Sequence, residues 1–118
     1  MEARALKKYI RSSPRKMRLV VDLIRGKNAG DALSILRFTP KLAARDAEAV
    51  LKSAVANLNL KLKEEGPTAK NEEILIKAAY VNQGPTLKRI QPAPMGRAYR
   101  VRKRSNHLTI VVATKKQN

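Results

Sequence analysis

A chain of 118 residues with 26 Lys and Arg against nine Asp and Glu, a formal charge of +17, is large enough for one modest core and basic enough to require a polyanionic partner. Cysteine is absent, which excludes disulfides and thiolate metal sites. No run of about 18 apolar residues is present to cross a membrane. The opening MEARALKKYIRSSPRK lacks the apolar stretch of a secretory signal, so a soluble intracellular protein is expected. The charge is unevenly spread: residues 1–73 hold 16 bases and all nine acids, whereas residues 74–118 hold ten bases and no acid. The second part is the expected polyanion contact.

In chain order, Ala3 to Ile10 roughly alternates in polarity and reads as a strand along a sheet edge. Ser12-Ser13-Pro14 signals a helix start, with Ser13 at the N-cap and Pro14 at the first helical position, where its missing N–H is harmless. Met17, Val20, Val21 and Ile24 follow at helical spacing and predict the buried face. Gly26 stops this helix, with Arg25 near the negative end of its dipole. Arg11, Arg15, Lys16 and Arg18 crowd the positive end, an unfavourable arrangement that a phosphate would relieve. Asn28 is the expected cap of a second helix, with Ala32, Leu33, Ile35 and Leu36 inward and its end at Phe38. Thr39-Pro40 repeats the cap-then-proline signal and predicts a third helix from Lys41 to about Lys63. Its apolar stripe is Ala44, Ala47, Leu51, Ala54, Val55, Leu58 and Leu62, rich enough in alanine to imply close approach to a sheet. After a polar loop at 66–73, strands are expected at Ile74–Val81 and Leu108–Ala113, then a frayed tail at 115–118. This order predicts an α+β fold in which three helices pack on a small antiparallel three-stranded sheet.

Between the last two strands lies VNQGPTLKRIQPAPMGRAYRVRKR, residues 81–104, with seven bases and no acid. Its large apolar side chains are few, too few to hold so long a segment on a core. Pro85, Pro92, Pro94, Gly84 and Gly96 exclude a helix through its middle. Strand-like flanks around a turn-rich middle predict a long β-hairpin that protrudes from the body, roughly 30 Å at ~3.3 Å per residue. The chain then reads as a single RNA-binding domain, residues 1–118, with a globular body at 1–81 and 106–114 and a basic hairpin at 82–105. Arginine, with its planar fork, dominates the arm and suits phosphate contact. Tyr99 is the arm's only aromatic residue, so folded RNA read by shape and phosphate is the expected partner rather than splayed bases.

Catalytic chemistry has little to stand on. His107 is the only histidine and has no accompanying nucleophile-and-acid pattern. Glu64-Glu65 and Glu72-Glu73 are adjacent pairs that do not face each other on a helix. No phosphate loop or metal-ligand spacing occurs, so no enzyme activity, cofactor or metal is expected.

Ser13-Pro-Arg-Lys-Met-Arg-Leu-Val-Val-Asp-Leu-Ile-Arg-Gly-Lys27 resembles the opening of the bacterial-type large-subunit ribosomal protein L-twenty-two family. Ser53-Ala-Val-Ala-Asn57, Ile76-Lys-Ala-Ala-Tyr-Val-Asn-Gln-Gly-Pro85, Gly96-Arg-Ala98 and Lys103-Arg-Ser-Asn-His107 resemble its later blocks, in order and over nearly the whole chain. The resemblance implies a structural protein of the large ribosomal subunit that binds its RNA early in assembly. Its body would sit near the exit of the nascent-chain tunnel and its hairpin tip would line the tunnel. By position, RNA contacts are implied for Arg11, Ser13, Arg15, Lys16, Arg18, Arg25, Lys27 and Gln83. They are implied further for Lys88, Arg89, Arg97, Arg100, Arg102, Lys103, Arg104, Ser105 and His107. The tunnel-lining tip would comprise Lys88, Arg89, Ile90, Gln91, Pro92, Ala93, Pro94, Met95, Gly96 and Arg97. Pro92-Ala93-Pro94-Met95 stands where the family commonly carries arginine and lysine after the proline, which makes this tip less cationic and stiffer. Implied partners are large-subunit ribosomal RNA, neighbouring ribosomal proteins and the nascent polypeptide, without a membrane or homo-oligomer. The implied location is the cytoplasmic large subunit, with an organellar ribosome left open. The alternative from another class is a DNA-compacting, nucleoid-type protein using the same charge.

Overall fold

The computed structural model describes residues 2–65, 73–85, 87–92 and 98–114, of which 64–65, 87–92 and 98–103 are described by their backbone. The elements run β1 (Glu2–Ile10), α1 (Pro14–Asp22), α2 (Ala29–Phe38), α3 (Ala43–Glu65), β2 (Ile74–Gln83), β3 (Leu87–Pro92), β4 (Ala98–Lys103) and β5 (Asn106–Thr114). Strands β1, β5 and β2 form an antiparallel sheet in that order, with β1 at an edge as its alternation predicts. Strands β3 and β4 form a separate antiparallel ladder. The α+β architecture expected from the sequence is the one observed.

One sheet face is closed by the helices. Met17, Val20, Val21 and Ile24 are fully buried, as are Leu51 and Leu58 of α3, against Leu108, Ile110 and Val112 of β5. Each such side chain contributes roughly 1.5–3 kcal/mol relative to exposure. Ala44, Ala47 and Ala54 are buried on α3, and their small side chains admit the close approach that the stripe predicts.

Several helix limits follow from local hydrogen bonds. Ser13 caps α1, its hydroxyl accepting from the Lys16 N–H at 3.3 Å. The α-helical part ends at Asp22, earlier than the glycine suggests. The Leu23 and Ile24 N–H groups then bond to Val20 and Val21, a tighter turn that Gly26 closes with φ +74. Asn28 caps α2 through the Asp31 N–H, as expected. Thr39 does not start the third helix: it closes α2, giving its N–H to Leu36 and its hydroxyl to Ile35. The third helix therefore begins at Ala43 rather than Lys41. The sequence signal was real, but the preceding helix used the threonine.

Both sheet edges are sealed by side chains. On β1, the Glu2 carbonyl accepts from Lys61 Nζ at 2.9 Å and the Arg4 carbonyl from Asn57 Nδ2 at 3.0 Å. On β2, the Ala79 carbonyl accepts from Arg25 Nε at 3.0 Å and the Val81 carbonyl from an Arg18 terminal nitrogen at 3.1 Å. The Ile76 N–H bonds to the Lys27 carbonyl at 3.0 Å. Exposed edge groups would otherwise offer a template for further strands.

The molecule is elongated. Its extents are 68 × 25 × 18 Å and its radius of gyration is 17.7 Å, against about 13.5 Å for a compact chain of this length.

Candidate nucleic-acid interface

The neck, where β2 and β5 leave the sheet, collects residues from three distant parts of the chain. Ile10, Asn106 and Gln83 form the last row of the three-stranded sheet. Asn106 is fully buried there, and its Nδ2 donates to the Ser12 carbonyl at 2.9 Å and to Ser12 Oγ at 2.8 Å. This contact ties the segment that opens α1 to the root of the arm, 94 residues away. The two cationic groups predicted separately, at the α1 N-terminus and in the arm, therefore share one end of the body.

The neck is also packed tightly. The Gly84 N–H donates to the Ser105 carbonyl at 3.0 Å, and the Ser105 hydroxyl donates to the Pro85 carbonyl at 2.7 Å. A Cβ on Gly84 would lie 2.5 Å from Ser105 Oγ, so only glycine fits here without displacement. Tyr9 sits in the left-handed region at φ 60, where the β1–β5 register shifts. It is held by its N–H, which donates to His107 Nδ1 at 3.0 Å, and by edge-on ring packing against His107 at 5.0 Å. His107 thus has a structural duty.

Beyond the neck the separate β3–β4 ladder begins. Gln83 pairs with Asn106 and Leu87 pairs with Lys103, so three residues on one strand span the interval that two span on the other. The ladder then runs in register from Leu87–Lys103 to Pro92–Ala98 and sets Lys88 opposite Arg102.

Of the residues predicted to contact RNA, Arg11, Arg15, Lys16 and Lys27 are exposed on the body, with Gln83 and Arg104 exposed at the neck. Ser13 is used as a helix cap, and Ser105 and His107 as neck contacts. Arg18 and Arg25 stand apart, because their guanidinium groups seal the β2 edge, and Arg25 also pairs with Asp22. Lys88, Arg89, Ile90, Gln91, Pro92, Arg100, Arg102 and Lys103 lie on the two arm strands. Ala93, Pro94, Met95, Gly96 and Arg97 lie outside the described residues, as do most of the 66–73 loop and the 115–118 tail. Sequence reasoning missed Ser12 and Asn106 as the pair that fixes the arm to the body. Nothing local marks them, since their roles depend on a contact across most of the chain.

No group of three or more His, Asp or Glu able to hold a metal ion occurs among the described residues, and among them no helix is long and apolar enough to cross a membrane.

The family model for ribosomal protein L22p/L17e matches residues 5–113. The chain belongs to this family. It is 52% identical over 116 residues to a protein of Desulfitobacterium hafniense (strain Y51), a match covering 98% of this chain and 97% of that one. A protein of Clostridium novyi (strain NT) is 53% identical over 112 residues, covering 95% and 96%. One of Chlorobaculum tepidum is 52% identical over 112 residues, covering 95% and 92%. All three are named large ribosomal subunit protein uL22. The chain is accordingly a structural protein of the large ribosomal subunit and not an enzyme.

Proposed function

We propose that this protein binds large-subunit ribosomal RNA with its acid-free arm and with the cationic α1 N-terminus beside the arm's root. The Asn106–Ser12 contact carries this reading, because it makes one surface of two basic segments far apart in sequence. The helix N-terminus has no acidic residue in its first turn, and Arg15 and Lys16 there are exposed. Phosphate is the group that relieves both the crowded cations and the unpaired N–H groups. In the arm, Lys88 opposite Arg102 is a like-charge pair that a phosphate between them would stabilise. The arm belongs to a single RNA-binding domain, and its tip, Lys88 to Arg97, lines the nascent-polypeptide tunnel. Contact with several RNA segments at once suits a role early in subunit assembly. Arg18 and Arg25 act mainly within the fold, so their contribution to RNA binding is indirect.

The test is salt-dependent binding of the full chain to transcribed large-subunit RNA, with duplex DNA as competitor. If about eight phosphates are neutralised, log K should fall with log salt at a slope of roughly −6 to −7. Displacement by duplex DNA as readily as by the RNA would favour a nucleoid-type role and overturn the proposal.

A further inference from the structure

The helices cover one face of the three-stranded sheet, and a depression of about 580 Å³ runs from the other face around the β1 edge to Ser53 and Asn57 of α3. On the open face it is lined by the row Leu6, Thr109 and Tyr80, one residue from each strand in register. Leu6 is 52% exposed and Tyr80 43% exposed, whereas Thr109 between them is 4% exposed. Strands lie about 4.8 Å apart, so Leu6 and Tyr80 stand roughly 10 Å apart over a small floor residue. Two apolar walls at that spacing accept one planar ring between them. The surroundings are polar and cationic: Arg4 and Lys8 line the depression and form no ion pair among the described residues. Asn82 and His107, paired in the next row on that face, also line the depression. No acidic residue lines the depression, which disfavours a basic partner.

We infer that this open face is a second RNA contact, holding one unpaired nucleotide with its base between Tyr80 and Leu6 and its phosphate on Arg4 or Lys8. The inference rests on the RNA-binding reading above but concerns a different face and a different mode. Stacking on an aromatic ring tolerates any base, whereas the arm contacts phosphate. The amide of Asn82 would add preference for a base edge.

The test uses the full chain and transcribed large-subunit RNA. Tyr80→Ser should weaken binding about 5- to 150-fold, the loss of one base–aromatic stack, while Tyr80→Phe should bind like the unaltered chain. The Tyr80→Ser defect should leave the salt slope unchanged, whereas Lys8→Gln should flatten it by about 0.9. Ultraviolet irradiation of the complex should place a nucleotide adduct on Tyr80. Should Tyr80→Ser prove unfolded by circular dichroism, Leu6→Ala and the adduct decide in its place. Unchanged affinity of a folded Tyr80→Ser chain, or adducts confined to the arm and α1, would overturn the inference while leaving arm-mediated binding intact. A protein occupant of this face would give that same unchanged affinity. Failure of the unaltered chain to prefer ribosomal RNA over duplex DNA would instead overturn the reading on which this one rests.

Discussion

The body and the arm use charge in different ways. In the body, many cations are spent on the fold: Lys7 pairs with Asp46, Lys52 with Glu48, Lys77 with Glu2 and Arg25 with Asp22. Arg18, Arg25 and Lys61 close sheet edges through backbone carbonyls. Buried apolar residues described run from Ala3 to Val81 and from Leu108 to Val112, on either side of the arm in sequence. Residues 84–104 contain seven bases, no acid and few large apolar side chains. Neutralisation there has to come from outside the chain. A high basic count is thus two quantities added together, one structural and one for binding, and only the geometry separates them.

Substitutions can sharpen that separation. The largest effect is expected in the core: Leu58→Ala should destabilise the body by about 2–5 kcal/mol, through lost transfer energy and the cavity left behind. Thermal denaturation checks it. Arg100→Ala together with Arg102→Ala should leave the melting temperature nearly unchanged and reduce the salt slope of RNA binding by about 1.8, at roughly 0.9 per contact. A large melting shift from the arm pair would break the comparison.

At the boundary between the regions, Gly84→Ala forces Ser105 to move and is expected to cost about 1–3 kcal/mol. Asn106→Ala removes both bonds to Ser12 and leaves buried groups unpaired, again about 1–3 kcal/mol. It should also weaken RNA binding, because the α1 cluster and arm lose their common anchor. Denaturant unfolding and filter binding on the same variant report the two effects.

Among the basic residues of the body, Arg25→Ala should lower stability by about 0.5–1.5 kcal/mol through the bond to Ala79. Arg15→Ala should leave stability alone and flatten the salt slope by about 0.9. The reverse pattern would contradict the assignment of Arg25 to the fold. The smallest effect concerns Glu2, whose carboxyl is held below its ordinary value chiefly by the hydrogen bond from Lys77. A lowered folded-state value gives stability that is present above the unfolded carboxylate range and lost as pH falls through the lowered value. The Glu2 side chain is half exposed, so Glu2→Gln should move the acid side of a stability–pH profile only slightly.

Much of the fold was legible because apolar spacing determines it. Met17, Val20, Val21 and Ile24 predicted the α1 face, and Leu108, Ile110 and Val112 the inner face of β5. What was not legible depended on partners distant in sequence. Thr39 carries a genuine cap signal, and which helix uses it is settled by the bond to Ile35. Arg18 and Arg25 look like any other surface cations until β2 brings its carbonyls alongside. Tyr80 was passed over because the arm, not the sheet, held the charge. The alternation of β2 already set it opposite Val81 and Ala79, on the face that the helices leave uncovered.

The absence of native cysteine allows one direct measurement of where each region lies against RNA. Single cysteines at Arg100 on the arm, at Arg15 on α1 and at Lys63 on the far part of α3 would each carry a tethered iron chelate in assembled large subunits. Hydroxyl-radical cleavage of ribosomal RNA is expected to be strong from Arg100→Cys and Arg15→Cys and weak from Lys63→Cys. Strong cleavage from Lys63→Cys with none from Arg100→Cys would contradict the assignment of the arm as the RNA-binding region.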